Sequence, residues 1–152
     1  MRLLPSVQRR GLLQAAGFAG LSMVALRANA AALPDPLAAF EAKTFGEAVG
    51  ALGGALAPSP LISLDAPSVA DNGAVVPVTV SSALQGTREI LLLVDGNPQP
   101  VAARFTIPAG TEAFVATRIR MAGSGTLYAA VRTESGVYAA ASAISVTVGG
   151  CG

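Results

Sequence analysis

Residues 74–80 read AVVPVTV, and they show most plainly the period of two that the chain takes up from Leu61 onward. Val76, Val78 and Val80 alternate with Pro77 and Thr79, which places the three valines on one face of an extended strand. Upstream the pattern is helical. Asp35-Pro36 reads as a helix start, because Asp accepts hydrogen bonds from free backbone N–H groups and Pro suits the first helical position. Leu37, Phe40, Phe45, Ala48, Val49 and Leu52 then fall near one face. Gly53-Gly54 and Pro58-Ser59-Pro60 end the segment. The spacing predicts one or two short helices lying against the domain or against a partner.

Downstream of Leu61 the period stays at two. Ile90–Val94 is an unbroken apolar run, as in a strand buried on both faces, and Asp95-Gly96 supplies a turn after it. Val115, Thr117, Ile119 and Met121 alternate with Ala116, Arg118 and Arg120. Leu127, Ala129 and Val131 alternate with Tyr128, Ala130 and Arg132, and Ile144, Val146 and Val148 with Ser145 and Thr147. Turn signals at Asn72-Gly73, Gln85-Gly86, Pro108–Gly110, Gly123–Gly125 and Ser135-Gly136 separate the runs. About seven short strands in this rhythm predict an all-β, immunoglobulin-like antiparallel sandwich preceded by a short helical segment. Pro77 cannot donate to a ladder, which places it on an edge strand or at a bulge. That edge carries little charge, so either a partner chain or the helical prelude covers it.

Composition excludes much. The 152 residues suffice for one domain with a real core, and they include no His, no Trp and one Cys. Histidine-based triads, His-containing zinc sites, an internal disulfide and a CxxC redox pair are therefore excluded. Four of the ten basic residues, Arg2, Arg9, Arg10 and Arg27, lie in the first thirty, and all nine acids follow them. The remainder is mildly acidic and lacks the basic stripe that nucleic acid requires.

The first thirty residues read as an export address. A basic start with Arg9-Arg10 precedes an apolar run from Leu12 to Leu26, and Ala28-Asn29-Ala30 forms a small-x-small cleavage site. Arg9-Arg10-Gly11-Leu12-Leu13 resembles a twin-arginine signal, with Gln8, Leu12 and Gln14 departing from the usual pattern. The expected organisation is a signal over 1–30, a helical segment over 31–57, a sandwich over 58–148 and an arm over 149–152. The mature protein is expected in the periplasm, without a membrane anchor.

The arm is Gly149-Gly150-Cys151-Gly152. Glycines accept nearly any backbone angle, so the thiol is expected on a flexible tether. Nothing cationic stands near Cys151 in the sequence to favour the thiolate, which suits a handle activated inside a partner better than a resident nucleophile. Thiols form and break S–S bonds through mixed intermediates under mild conditions.

Gly149-Gly150-Cys151-Gly152 resembles the C-terminal GGCGG arm of the SoxY family, the sulfur-carrier subunits of bacterial thiosulfate-oxidising systems. Leu61–Pro67, Asp71-Asn72-Gly73 leading into Val76-Pro77-Val78, Asn97-Pro98 and Thr117–Ala122 are also similar to family segments. One departure is that Gly152 alone follows the cysteine, where the family arm carries two glycines. The resemblance implies an immunoglobulin-like fold and a heterodimer with a SoxZ-type subunit. It also implies a cycle of thiosulfonate and persulfide intermediates on Cys151. A Sox cytochrome, a sulfate-releasing hydrolase and, where present, a sulfur dehydrogenase would act on them, while this chain supplies no cofactor, metal or catalytic residue. The alternative is an exported interaction module whose Cys151 forms a structural intermolecular disulfide. Arg118 and Arg120 share a strand face and either steer anionic partners or are simply solvated, and Glu89, Arg104 and Arg132 read the same way. Tyr128 and Tyr138 read as half-buried sandwich tyrosines or as interface residues.

Overall fold

The computed structural model describes residues 36–148. It opens with two short helices, α1 (Pro36–Glu41) and α2 (Phe45–Ala51). The second starts at a capping box: the Thr44 hydroxyl accepts from Glu47 N at 3.2 Å, and the Glu47 carboxylate accepts from Thr44 N at 3.2 Å. It stops where Gly53 and Gly54 take positive φ values of 116° and 82°, which residues with a Cβ resist. The Asp35 cap lies outside the described residues.

Nine strands follow: β1 (Ala57–Pro58), β2 (Ile62–Asp65), β3 (Val69–Ala70), β4 (Val76–Ser82), β5 (Glu89–Val94), β6 (Val101–Thr106), β7 (Phe114–Ile119), β8 (Gly125–Thr133) and β9 (Gly136–Val146). Seven of them have four or more residues, matching the expected number, and β1 and β3 are two-residue additions. The larger sheet runs β1-β9-β8-β5-β6, with β3 also pairing β9, and the smaller runs β2-β4-β7. Both short strands lie parallel to β9, and between them the chain crosses to the other sheet as β2.

The two sheets enclose an aliphatic core. Val76, Val78 and Val80 from β4 meet Ile90, Leu92 and Val94 from β5, with Leu127, Ala129 and Val131 from β8 and Val115 and Ile119 from β7. The opposite face of β5 is buried as well: Leu91 and Leu93, with Val101 and Ala130, pack on Ala39, Ala48 and Leu52 of the helical segment. Two apolar layers against one strand explain the unbroken run at 90–94. Phe45 and Tyr128 extend this second layer, with ring centroids 4.7 Å apart.

Several expectations change. Leu37 points outward, and Ala39 and Ala42 are buried in its place. Pro77 is not on an edge strand, because β4 is central. However, β2 pairs only with Thr79–Ser82, so Val76–Val78 overhang it, and Pro77 sits where no neighbour asks for its missing N–H. The helices do not cover this region, since they pack on the other sheet. The last strand is 11 residues long rather than a short run near Ile144, and it ends at Val146, two residues earlier than expected.

Candidate functional site

Cys151, Gly149, Gly150 and Gly152 lie outside the described residues. What the structure does describe is the root from which they continue. Beyond β9 the chain stays pinned for two more residues. Thr147 N donates to Ala70 O at 3.0 Å, and its hydroxyl donates to Asp71 O at 3.0 Å. Gly73 N then donates to the carbonyl of Val148 at 2.9 Å. On the other side of β9, Val146 N donates to the Ser124 hydroxyl at 2.8 Å.

This root is braced by the opposite sheet. Met121 N donates to Gly73 O at 2.7 Å, so one glycine links Val148 to the segment after β7. Asn97 holds that segment with both ends of its amide: Nδ2 donates to Arg120 O at 2.8 Å, and Oδ1 accepts from Ala122 N at 2.8 Å. A side-chain amide placed this way imitates a strand neighbour and satisfies two backbone groups that no strand reaches. Asn72 caps its own turn by accepting from Ala74 N at 2.8 Å. Beside the brace lies an open cleft of about 370 Å³, lined by Asn97, Pro98, Gln99, Val101, Arg120 and Ala122 among others. Asn72-Gly73 was legible in the sequence as a turn and Asn97-Pro98 as a segment similar to the family, but their part in holding the root of the arm was not.

The other singled-out residues are placed elsewhere. Arg118 and Arg120 are both exposed, Arg118 on the outer face of the small sheet and Arg120 just past its end, at the cleft. Glu89, Arg104 and Arg132 are not a solvated face. They converge from β5, β6 and β8 at the end of the large sheet away from the arm root, with side chains only 11%, 24% and 16% exposed. Glu89 accepts from Arg104 Nη2, and its second oxygen lies 3.4 Å from Arg132 Nε. Tyr128 and Tyr138 are half-buried. Among the described residues no group of three or more His, Cys, Asp or Glu is placed to hold a metal, and no helix is long and apolar enough to cross a membrane.

The family model described as sulfur oxidation protein SoxY matches residues 49–151. The chain belongs to the SoxY family. The SoxY match takes in all nine strands, the braced root and Cys151 itself. Among solved structures the chain is similar to the sulfur carrier protein SoxY from Chlorobium limicola f thiosulfatophilum. The two are 33% identical, the match covers 67% of this chain and 94% of that one, and the TM-score is 0.59. A weaker likeness, at 22% identity and a TM-score of 0.46, is to a superoxide reductase (neelaredoxin) from Ignicoccus hospitalis, covering 56% of this chain and 79% of that one. A search of curated proteins gave no match. The SoxY fold here is thus the expected two-sheet sandwich with a short helical segment before it.

Proposed function

We propose that this chain is the carrier subunit of a thiosulfate-oxidising system and holds pathway intermediates covalently on Cys151. The observation that carries this reading is the family match running through Cys151, the chain's only thiol, three residues past Val148, whose carbonyl is held by Gly73 N. The 33% identity to a sulfur carrier protein adds to it.

The chemistry follows from the thiol. In loading, the Cys151 S–H and thiosulfate form one S–S bond and release a proton and two electrons, which a Sox cytochrome accepts. The product is a cysteine S-thiosulfonate. In the next step water attacks the terminal sulfonate sulfur, sulfate and a proton leave, and a persulfide remains on Cys151. A hydrolase performs that step, and where a sulfur dehydrogenase is present it oxidises the persulfide further. The carrier's own part is to expose the sulfur, let it enter each enzyme in turn and keep it covalently attached.

In this reading the chain is exported to the periplasm through its twin-arginine-like signal and works as a heterodimer with a SoxZ-type subunit. Gly149, Gly150 and Gly152 give the tether its freedom. Intact mass spectrometry of the protein from cells oxidising thiosulfate tests the proposal, with and without reductant. Thiosulfonate or sulfane-sulfur adducts on Cys151, absent from Cys151→Ser, are expected. A disulfide dimer as the sole modified form would overturn it and favour a structural staple.

A further inference from the structure

The sequence holds three asparagines, Asn29, Asn72 and Asn97. Asn97 precedes Pro98, which has no N–H, and both ends of its amide are occupied. Asn72 precedes Gly73 and is exposed, while Gly73 beneath it is buried. An Asn-Gly pair can react with itself. The backbone nitrogen of Gly73 attacks Cγ of Asn72, so that a new N–C bond forms and the bond from Cγ to the side-chain nitrogen breaks. Ammonia leaves, carrying the proton of the Gly73 N–H. Water then opens the resulting succinimide at one carbonyl to give aspartate, or at the other to give isoaspartate, and no electrons are transferred. Glycine favours the ring closure because no Cβ obstructs the approach.

In the folded chain the attacking nitrogen is occupied. Gly73 N donates to Val148 O at 2.9 Å, and Gly73 O accepts from Met121 N at 2.7 Å. Asn72 Oδ1 accepts from Ala74 N at 2.8 Å, and the residue before it is tied to β9 through the Thr147 hydroxyl, which donates to Asp71 O at 3.0 Å. Gly73 N must shed its proton and turn toward Cγ, so the ring closes only while Val148 lets go. A hydrogen-bonded amide reacts from its locally opened state, and the population of that state sets the rate. We infer that Asn72 is a deamidation site guarded by the arm root, and that its conversion to isoaspartate unlocks the root. Isoaspartate routes the main chain through Cβ and Cγ and so inserts a methylene between Asp71 and Gly73. Both neighbours are fixed, Asp71 by Thr147 and Gly73 by Met121, and the lengthened link no longer fits between them. Val148 is the partner that yields, because β9 ends at Val146, whereas Met121 is fully buried. The new carboxylate beside Asp71 adds like-charge repulsion to the same turn. In the modified chain the free tether begins before Val148 instead of after it.

The test ages the purified full chain at mildly alkaline pH under reductant. Peptide mass spectrometry follows the conversion of amide to acid at Asn72, with aspartate and isoaspartate separated by chromatography. Conversion should be at least about tenfold faster in urea than in the folded chain. Thr147→Val removes the hydroxyl bond to Asp71 and should speed conversion about fivefold in the folded chain. Thr44→Ala loosens the chain at α2 instead and should convert at the wild-type rate. Asn72→Gln should show no conversion at this position. Hydrogen exchange then compares aged and fresh protein, and the Gly73 amide should lose its protection in the isoaspartate form alone. Equal rates in folded and unfolded chains, a wild-type rate in Thr147→Val, or equal acceleration in Thr44→Ala would overturn the guard. Unchanged protection of Gly73 in the isoaspartate form would overturn the unlocking.

Discussion

Replacing Glu89 with alanine tests the least expected feature of the fold. The substitution leaves the guanidinium groups of Arg104 and Arg132 facing each other on one sheet face without the carboxylate between them. Removing one member of a buried ion pair costs about 3–5 kcal/mol, because the remaining charge keeps its desolvation cost. Here the three side chains retain 11–24% exposure, and water screens part of that cost, so we expect about 2–3 kcal/mol. For a domain of this size the melting temperature should fall by about 10 °C. Arg104→Ala leaves Glu89 with Arg132 and should cost only about 1 kcal/mol. Salt sharpens the contrast: 1 M NaCl should recover part of the loss in Glu89→Ala, where like charges repel, and little in Arg104→Ala. The assay is urea and thermal unfolding of the three proteins at low and high salt. If Glu89→Ala is no less stable than Arg104→Ala, or if salt does not narrow their difference, the cluster is not held by its central carboxylate. The exposed pair Arg88–Glu134, with side chains 64% and 70% accessible, provides the control, and its disruption should leave stability unchanged.

Other outcomes follow from the packing. Leu92→Ala removes a fully buried side chain between the sheets and should cost about 2–5 kcal/mol in urea unfolding. Gly125→Ala would drive a Cβ into the carbonyl oxygen of Asp95 and disturb the Asp95 N to Thr126 O bond; about 2–4 kcal/mol is expected by thermal melting. Thr44→Ala breaks the capping box of α2 and should cost about 1 kcal/mol, seen as a lower melting temperature, with Thr44→Ser close to wild type.

Strand alternation was legible because one face of each strand is buried: Val76, Val78 and Val80 announce β4 unaided. The start of β9 was not, because Ala139–Ala143 offers neither the β-branched bulk nor the polar alternation that marks a strand, and its pairing with β8 decides its state. The Glu89 cluster was hidden for another reason. Its members lie 15 and 43 residues apart and become neighbours only through strand order, which periodicity does not encode. The proline rule misplaced β4 because it concerns the neighbour at one residue, and here that neighbour stops at Thr79. For the candidate site, the sequence pointed to Cys151 and its glycines by their chemistry and by the resemblance of the arm to a known family. The brace through Gly73, Met121 and Asn97 depends on three loops meeting at one end of the sandwich, and only coordinates reveal that.

The place of β9 in the larger sheet has a mechanical consequence. It is held by β8 along nine registered pairs on one side and by two short parallel strands on the other. A pull on the chain at Val148, directed along the strand axis, would load that ladder in shear. The bonds would then share the force instead of parting one after another like a zipper, so the domain would resist fraying from its last strand.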